Sequence, residues 1–340
     1  MTRTTDQLRE FCRKRCGQAL RLFPSSTRWA PEIPRGWPSA CLDVISGYLS
    51  ERSPGGRPID EICCEDVAAA EILWSSGLGR GVADRSTSAL PAVLLRTPIS
   101  FEGEVPQLAA LAVKTPRLTV IVDHFRHGEL LSRAAESAGK KIAVLIAVDT
   151  GRQLMGVHPG PDCESLSRAL VQQGGLRLRG IFADAEPSAS AAGRQGLTAA
   201  RALELARHCL GHLRSRGIAA EDVVLGVGAD EGLTAGPEAD SCTLVWCPVD
   251  VCGGAWWPAT SATGVAACEV RVISRPALEF CVIAAGSRSG LMTSAVRVLK
   301  PSGARVGGWD VHHTRLHLTG SAVDLRIGDT VTLGNFDKHT

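Results

Sequence analysis

The stretch Lys141 to Gly160, KIAVLIAVDTGRQLMGVHPG, decides the fold. Its seven consecutive apolar residues, Ile142 to Val148, run straight into Asp149, Thr150 and Gly151. A strand buried on both faces reads as such an unbroken apolar run, and the polar turn marks its end. Parallel barrels are made of strands of this kind and build their chemistry at the carboxyl ends, which places Asp149 to Val157 where a substrate or cofactor would sit.

The pattern repeats on both sides. Ile59 to Cys64, Ala92 to Leu95, Leu118 to Asp123, Leu176 to Phe182 and Val223 to Val227 are further strand candidates. Between them, Glu65 to Ser76, Val105 to Val113, Gly128 to Ala138, Cys163 to Gln172 and Leu197 to Arg216 carry helical spacing. Strands alternating with helices mean βαβ units and a parallel sheet, and an α/β barrel of the parallel (β/α)8 type is the economical closure. The competing open, doubly wound sheet lacks its glycine-rich dinucleotide turn after an early strand. Upstream, Thr5 to Leu20 reads as a helix with Asp6 as its cap, Leu20 to Phe23 is a short apolar run, and Ala40 to Leu49 is a second helix. After Ser241 the character changes. Val270 to Ile273, Phe280 to Ala284, Ala295 to Leu299, Arg315 to Leu318 and Thr330 to Leu333 are short runs separated by Gly, Pro and Ser turns, the mark of an antiparallel β domain. The expected division is a barrel over 1–240 and a C-terminal β domain over 241–340, with one loop, Glu186 to Gly196, long enough to invite disorder.

Bulk properties narrow the function classes. With 340 residues and 44% hydrophobic content the chain can bury a large core. A net charge of +2, with acids and bases interspersed, argues against nucleic-acid and anionic-membrane partners. No apolar run approaches the roughly 20 residues of a membrane span. The arginines at 3, 9, 13 and 15 are interrupted by Asp6 and Glu10 and precede no apolar core, so a cytoplasmic protein is expected, with an organelle-targeting helix left open. The 12 cysteines lack the spacing of a secreted disulfide framework, and Cys242, Cys247 and Cys252 lack the pair-of-pairs spacing of a structural zinc site.

Eight stretches fall in order along the chain: EICCEDVAAAEIL from Glu61, AVLLRTP from Ala92, LTVIVD from Leu118, Val144 to Gly160, GLRLRG from Gly175, RVISRP from Arg271, AAGSR from Ala284 and LRIGDTVTL from Leu325. Together they resemble the D-threonine aldolase and D-serine dehydratase family, fold type III pyridoxal-phosphate lyases with an alanine-racemase-like barrel and a β domain. The resemblance implies pyridoxal phosphate held as a Schiff base on lysine, a divalent metal near the C-terminus, and a dimer.

The residues that match this family's sites depart from its pattern. Its lysine motif, Arg-Pro-His-x-Lys-Thr-His, aligns with LFPSSTRWAPEI from Leu22, which contains no lysine; Arg28 stays protonated and is no nucleophile. Only six lysines exist. Lys14 and Lys114 fall on helices, Lys140 and Lys141 open a strand at the end away from the expected site, and Lys300 lies in a β-domain turn. Lys338, in the C-terminal tail, is the remaining candidate for the catalytic amine. For the cofactor, Asp149, Gly151, Gly156 and Val157 match Asp-x-Gly-x-x-Arg-x-Gly-Val, whereas Leu154 replaces the arginine and Arg152, two residues back, points differently unless the turn rearranges. Tyr-x-Gly-His becomes Asp184 to Pro187. The phosphate-cradling Gly-Gly-Gly-Thr becomes Gly226, Val227, Gly228 and Ala229, followed by Asp230 and Glu231, whose charge repels a phosphate. The metal pair aligns with Phe336 and Lys338, which do not coordinate a divalent ion; His313, Asp337 and His339 remain as weak ligands. The strand and Thr-Pro turn that open the family barrel are also missing, so the barrel is either incomplete or closed by another segment.

Three readings follow: a catalytically impaired or inactive descendant, paired with itself or with an active paralogue; an active lyase on D-serine- or D-threonine-like substrates; and a barrel repurposed to bind another small molecule through Asp149, Asp184, Asp230, Glu231, Arg28 and Arg152.

Overall fold

The computed structural model describes residues 28–33, 61–75, 92–115, 117–185, 197–227, 242–246, 267–286, 296–310 and 312–335, with positions 6 and 10. Eight parallel strands form a closed barrel: β1 (Arg28–Ile33), β2 (Glu61–Cys64), β3 (Ala92–Leu95), β4 (Leu118–Val122), β5 (Ile142–Val148), β6 (Leu176–Asp184), β7 (Asp222–Val227) and β8 (Thr243–Trp246). The helices between them are α1 (Val67–Ser75), α2 (Val105–Lys114), α3 (Phe125–Ala138), α4 (Pro161–Gln172) and α5 (Ala199–Ser215). Closure comes from β1 and β8, which pair with each other from Arg28↔Thr243 to Pro31↔Trp246. Neither carries a strand signal in the sequence. Pro31 demotes β1, because proline gives no ladder donor. The TLVW run of β8 is short and lies three residues past the expected division at 240. The expected helices at 5–20 and 40–49, the run at 20–23 and the loop at 186–196 lie outside the described residues.

Alternation within each strand explains the unbroken apolar runs. Ala30, Cys63, Leu94, Ile121, Leu145, Ala147, Phe182, Val224 and Val245 fill the barrel interior. The residues between them, such as Ile62, Val93, Val120, Val144, Ile146 and Ile181, pack outward against Leu108, Leu130, Leu166 and Leu203 of the helices. With both faces covered, no position along β5 needs to be polar. At about 1.5–3 kcal/mol for each fully buried Leu, Ile or Val, these two shells are the main favourable contribution to barrel stability.

The helix ends follow from local chemistry. The His124 side chain caps α3 by accepting from the Arg126 backbone N–H at 3.1 Å, and Gly139, with φ of 61°, ends it in the left-handed conformation. Pro161 occupies the first turn of α4, where its missing N–H costs nothing, and Asp162 and Glu164 complement the helix dipole. Among the described residues no helix is long and apolar enough to cross a membrane.

The second sheet has six antiparallel strands, β9 (Cys268–Ala277), β10 (Phe280–Ile283), β11 (Val296–Lys300), β12 (Ala304–Trp309), β13 (Thr314–Leu318) and β14 (Thr330–Asn335), in the order β11-β14-β9-β10-β13-β12. It encloses its own core of Val272, Cys281, Ile283, Val296, Leu316, Leu318, Val331 and Leu333. Strand β12 is absent from the sequence expectations, since Gly307 and Gly308 within ARVGGW break the alternation.

Candidate functional site at the barrel mouth

The carboxyl ends of the strands and one turn of the β domain meet over the barrel interior. Arg96 follows β3 directly and is almost wholly buried, because the apolar run of β3 carries it into the barrel. Its guanidinium donates to Asp184 Oδ2, at the end of β6, at 2.8 Å, and lies 5.9 Å from the centre of the Phe182 ring. Arg152 enters from the loop after β5. It approaches Asp184 Oδ2 at 3.2 Å and donates to Asp310 Oδ2, just past β12, at 2.7 Å. Two arginines and two carboxylates therefore alternate across the mouth, and the last member ties the barrel to the β domain.

The inward course of Arg152 is a product of the turn. Gly151 has φ of 91° and Gln153 φ of 51°, so left-handed residues flank Arg152 on both sides and reverse the direction of its side chain. Asp149 holds the turn: its Oδ1 accepts from the N–H groups of Gly151 at 3.0 Å and Gln153 at 3.1 Å. The loop then returns to the barrel, with Val157 bridging Val148 in parallel fashion. Gly156, at φ of 129°, is required there, because a Cβ would lie 2.6 Å from the Asp149 nitrogen. This is the turn rearrangement on which the sequence made Arg152 conditional. Leu154, at the family's arginine position, is buried and lines the mouth.

Asp310 organises the β-domain side. Its Oδ1 accepts from the backbone N–H groups of His312 at 2.7 Å and His313 at 2.6 Å. Burial alone would raise this carboxyl, but the Arg152 guanidinium, with His313 and His312 adding to it, outweighs burial and holds it below the usual carboxylate range. Burial pushes His313 down to about 4, so its imidazole is neutral, and among the described residues its Nε2 has no hydrogen-bond partner. The space left between Arg152, Leu154, Met155, Phe182, Asp184, Asp310 and His313 is about 10 Å³, room for no more than a water molecule. A carboxylate lies against Gly226 as well: a Cβ there would come 2.9 Å from Asp184 Oδ1 and 3.1 Å from the Phe182 ring.

A second buried cluster joins the two sheets beside the mouth. Asp123 Oδ2 accepts from Gly156 N–H at 2.9 Å and from Ser274 Oγ, on β9, at 2.5 Å. Burial raises the Asp123 carboxyl against both bonds. His127 donates from Nε2 to the Ile273 carbonyl at 2.8 Å while its Nδ1 receives the Asp123 backbone N–H at 3.4 Å. Burial takes His127 down to about 3, so the 3.4 Å approach of its Nδ1 to Asp123 Oδ1 joins a neutral ring to the carboxyl and is not an ion pair near pH 7. Outside this cluster, Asp149, Gln153, Asp162, Arg275, Glu279 and Phe280 are among the residues that line a cavity of about 420 Å³ at the seam between barrel and β domain.

Each residue singled out by the sequence can now be placed. Asp149 and Gly151 shape the rim turn, Asp149 facing the seam cavity. Gly226 and His313 are in the mouth. Lys338, Gly228, Asp337, His339, Asp230 and Glu231 lie outside the described residues, as does the side chain of Arg28. The sequence reading passed over Arg96, Asp123, Ser274 and Asp310. A signal existed for Arg96 and Asp123, polar residues that end apolar strands at the chemical face of a barrel. Asp310 and Ser274 carry none, because only the docking of the second sheet brings them to the site.

No lysine stands among the described mouth residues. Pyridoxal phosphate requires an amine for its aldehyde and an open cradle for its phosphate. Among the described lysines, Lys140 binds the Val113 carbonyl at the far end of the barrel, Lys141 enters β5 at that same end, Lys114 ends α2, and Lys300 ends β11. Nor do the described residues contain a group of three or more His, Cys, Asp or Glu side chains placed to hold a metal ion.

The family model for the alanine racemase N-terminal domain matches residues 59–230, just over half of the chain. Three solved structures share the overall fold. D-threonine aldolase from Filomicrobium marinum is 21% identical, with a TM-score of 0.55 over 96% of this chain and 84% of that one. D-threo-3-hydroxyaspartate dehydratase from Delftia sp. HT23 is 17% identical, with a TM-score of 0.51 over 96% and 88%. Alanine racemase of Clostridium difficile 630, in complex with cycloserine, is 13% identical, with a TM-score of 0.52 over 95% and 83%. No curated protein matches the chain.

Proposed function

This chain belongs to the alanine racemase N-terminal domain family, and from that premise we propose that it is a member whose barrel mouth is held shut by ion pairs and performs no Schiff-base chemistry. One observation supports the reading: Arg96, Asp184, Arg152 and Asp310 form a buried ion-pair network across the strand ends, and the space lined by Arg152, Asp184 and Asp310 is about 10 Å³. Opening that volume would strip a buried carboxylate of its guanidinium, which costs several kcal/mol. The barrel then serves as a scaffold, in the cytoplasm, pairing with itself or with an active paralogue.

The test is direct. The purified chain, mixed with pyridoxal phosphate and reduced with borohydride, is expected to show no imine absorbance and no pyridoxyl-lysine on peptide mapping. A stoichiometric adduct on Lys338 or Lys14 refutes the proposal and restores the reading of an active lyase on β-hydroxy D-amino acids.

The seam cavity favours a second reading, a repurposed small-molecule binder. Its volume of about 420 Å³ falls in the range of ligand pockets, and it lies beside the mouth instead of within it. A thermal-shift screen of small polar molecules separates the two readings, since a bound ligand stabilises only the folded site that recognises it.

A further inference from the structure

Four separate segments bring a carboxyl group to the lining of the seam cavity. Asp123 follows β4, Asp149 lies in the turn after β5, Asp162 in the first turn of α4, and Glu279 between β9 and β10. Among the described residues Asp149, Asp162 and Glu279 form no ion pair. Asp149 Oδ1 is taken up by the Gly151 and Gln153 N–H groups, which leaves Oδ2 as its open acceptor. Asp123 is the buried member: its side chain is 1% exposed, and its Oδ1 has no hydrogen-bond partner among the described residues. A buried acceptor without a donor is costly. The donors of the same lining are, by contrast, largely spent. Arg275 engages the carbonyls of Phe280 at 3.2 Å, Leu278 at 3.1 Å and Val323 at 3.0 Å. The Gly156 N–H goes to Asp123 Oδ2 and the Gln153 N–H to Asp149. His124 uses Nδ1 to cap α3, and burial lowers it, so it carries no charge near pH 7. His158 and Ser165 complete the polar lining at exposed positions. Arg315 stands behind this wall, 5.2 Å from the centre of the Phe280 ring, and donates to Gln153 Oε1 at 3.0 Å, which holds both side chains in place. The remaining lining is apolar, with Phe125, Val157, Leu166, Pro276 and Phe280.

We propose that the seam cavity binds a small amphipathic organic cation, an ammonium group on an apolar body. The proposal rests on the second reading above, that this cavity is a ligand site, and adds the chemical class of the ligand. An ammonium group brings donors and a positive charge to a space whose unused groups are carboxylate acceptors. An anion would meet three carboxylates, and the groups that could donate to it are already bonded. The N-terminus of α4 contributes a partial positive charge of about half a unit, which the full charge of Asp162 in its first turn outweighs. The apolar body lies against Phe125, Pro276 and Phe280, which remove it from water. None of these residues belongs to the ion-pair network of the mouth, so the cavity fills without opening it.

Three probes of similar shape and different charge test the proposal by titration calorimetry on the full chain: 2-phenylethylamine, 2-phenylethanol and 3-phenylpropanoate. The amine is expected to bind about tenfold tighter than the other two, since each of three partly exposed carboxylates contributes up to a few-fold. Its affinity is expected to fall with added salt. The double variant Asp162→Asn/Glu279→Gln is expected to weaken the amine by about five-fold and to leave the alcohol unchanged; both side chains are exposed, so the fold is kept. Ser165→Trp, at an exposed position of α4 on the cavity wall, is expected to exclude every probe. The proposal is overturned if the amine binds no tighter than the alcohol or if the carboxylate binds tightest, and either result leaves the cavity a ligand site of another class. It is also overturned if none of the three binds, in which case the broader thermal-shift screen decides separately whether the cavity takes any ligand. Amine binding that survives both variants places the site elsewhere and overturns it too. Circular dichroism melting checks the fold of each variant; should Ser165→Trp not fold, the Asp162→Asn/Glu279→Gln protein decides.

Discussion

Replacing Arg152 with methionine keeps the length and apolar stem of the side chain and removes only the guanidinium. Asp184 retains Arg96 at 2.8 Å, and Asp310 Oδ1 retains its two backbone donors. The loss therefore falls on Asp310 Oδ2, whose side chain is 1% exposed and whose bond to Arg152 is 2.7 Å. Removing one partner of a buried, hydrogen-bonded ion pair costs about 3–5 kcal/mol, and this is the expected destabilisation at pH 7. The sign of its pH dependence follows. In the wild-type chain Asp310 is held below its unfolded value, so it adds stability above that value and loses it as pH falls through the folded one. Without Arg152 burial prevails and the carboxyl rises above its unfolded value, so stability is lost as pH climbs. The gap between the two proteins should be widest near neutrality and narrow toward about pH 3.5, where Asp310 of the variant is protonated. Urea unfolding followed by tryptophan fluorescence at both pH values measures it, with Arg152→Met/Asp310→Asn expected to be more stable than Arg152→Met alone. A loss at pH 7 of less than about 1 kcal/mol, the value of an exposed pair, or a gap that does not narrow in acid, would refute the view of the mouth as a dry, locked network.

Further outcomes follow from the other buried charges. His127 falls from 6.5 to about 3 on folding, so its neutral form contributes on the order of 4 kcal/mol above pH 6.5, lost as pH falls through that window; His127→Gln, which keeps a donor for Ile273, should flatten the acid side of a stability-versus-pH curve, and an unchanged slope rejects the assignment. Asp123 is raised by burial, so its contribution is present below its unfolded value and lost as pH rises; Asp123→Asn should match or exceed wild-type stability near pH 7 by up to about 1 kcal/mol, and a loss of several kcal/mol by thermal melting rejects this. At the opposite end of the barrel Arg179 binds Glu61 at 2.6 Å, Asp222 at 2.7 Å and Thr119 at 3.1 Å; Arg179→Met should cost about 3–5 kcal/mol in urea unfolding with the mouth unaffected, and it should add to Arg152→Met without coupling because the two networks share no residue.

Much of the fold was legible in residue order. The runs AVLL, LTVIV, IAVLIAV and DVVLGV are strands because a position covered on both faces admits only apolar side chains, and that requirement is local. Pro31 and the four-residue run of β8 show where local signals stop: those segments are strands because the barrel must close, and hydrogen-bonding neighbours on each side supply what propensity does not. The mouth was less legible. Asp184 and Arg152 were candidates from their place at strand ends, but the inward turn of Arg152 needed two left-handed residues around it, and Asp310, just past β12, lies 158 positions further along the chain.

By itself the sequence determined the barrel, the β domain, and the lack of a lysine where the resembled lyases place one, since each follows from which residue types occupy consecutive positions. The tertiary structure alone decided that two arginines and two aspartates pair across the mouth, and that Asp123 and His127 are buried at the seam. Those facts depend on contacts between distant segments, and the energy of a charge is set by what surrounds it in space.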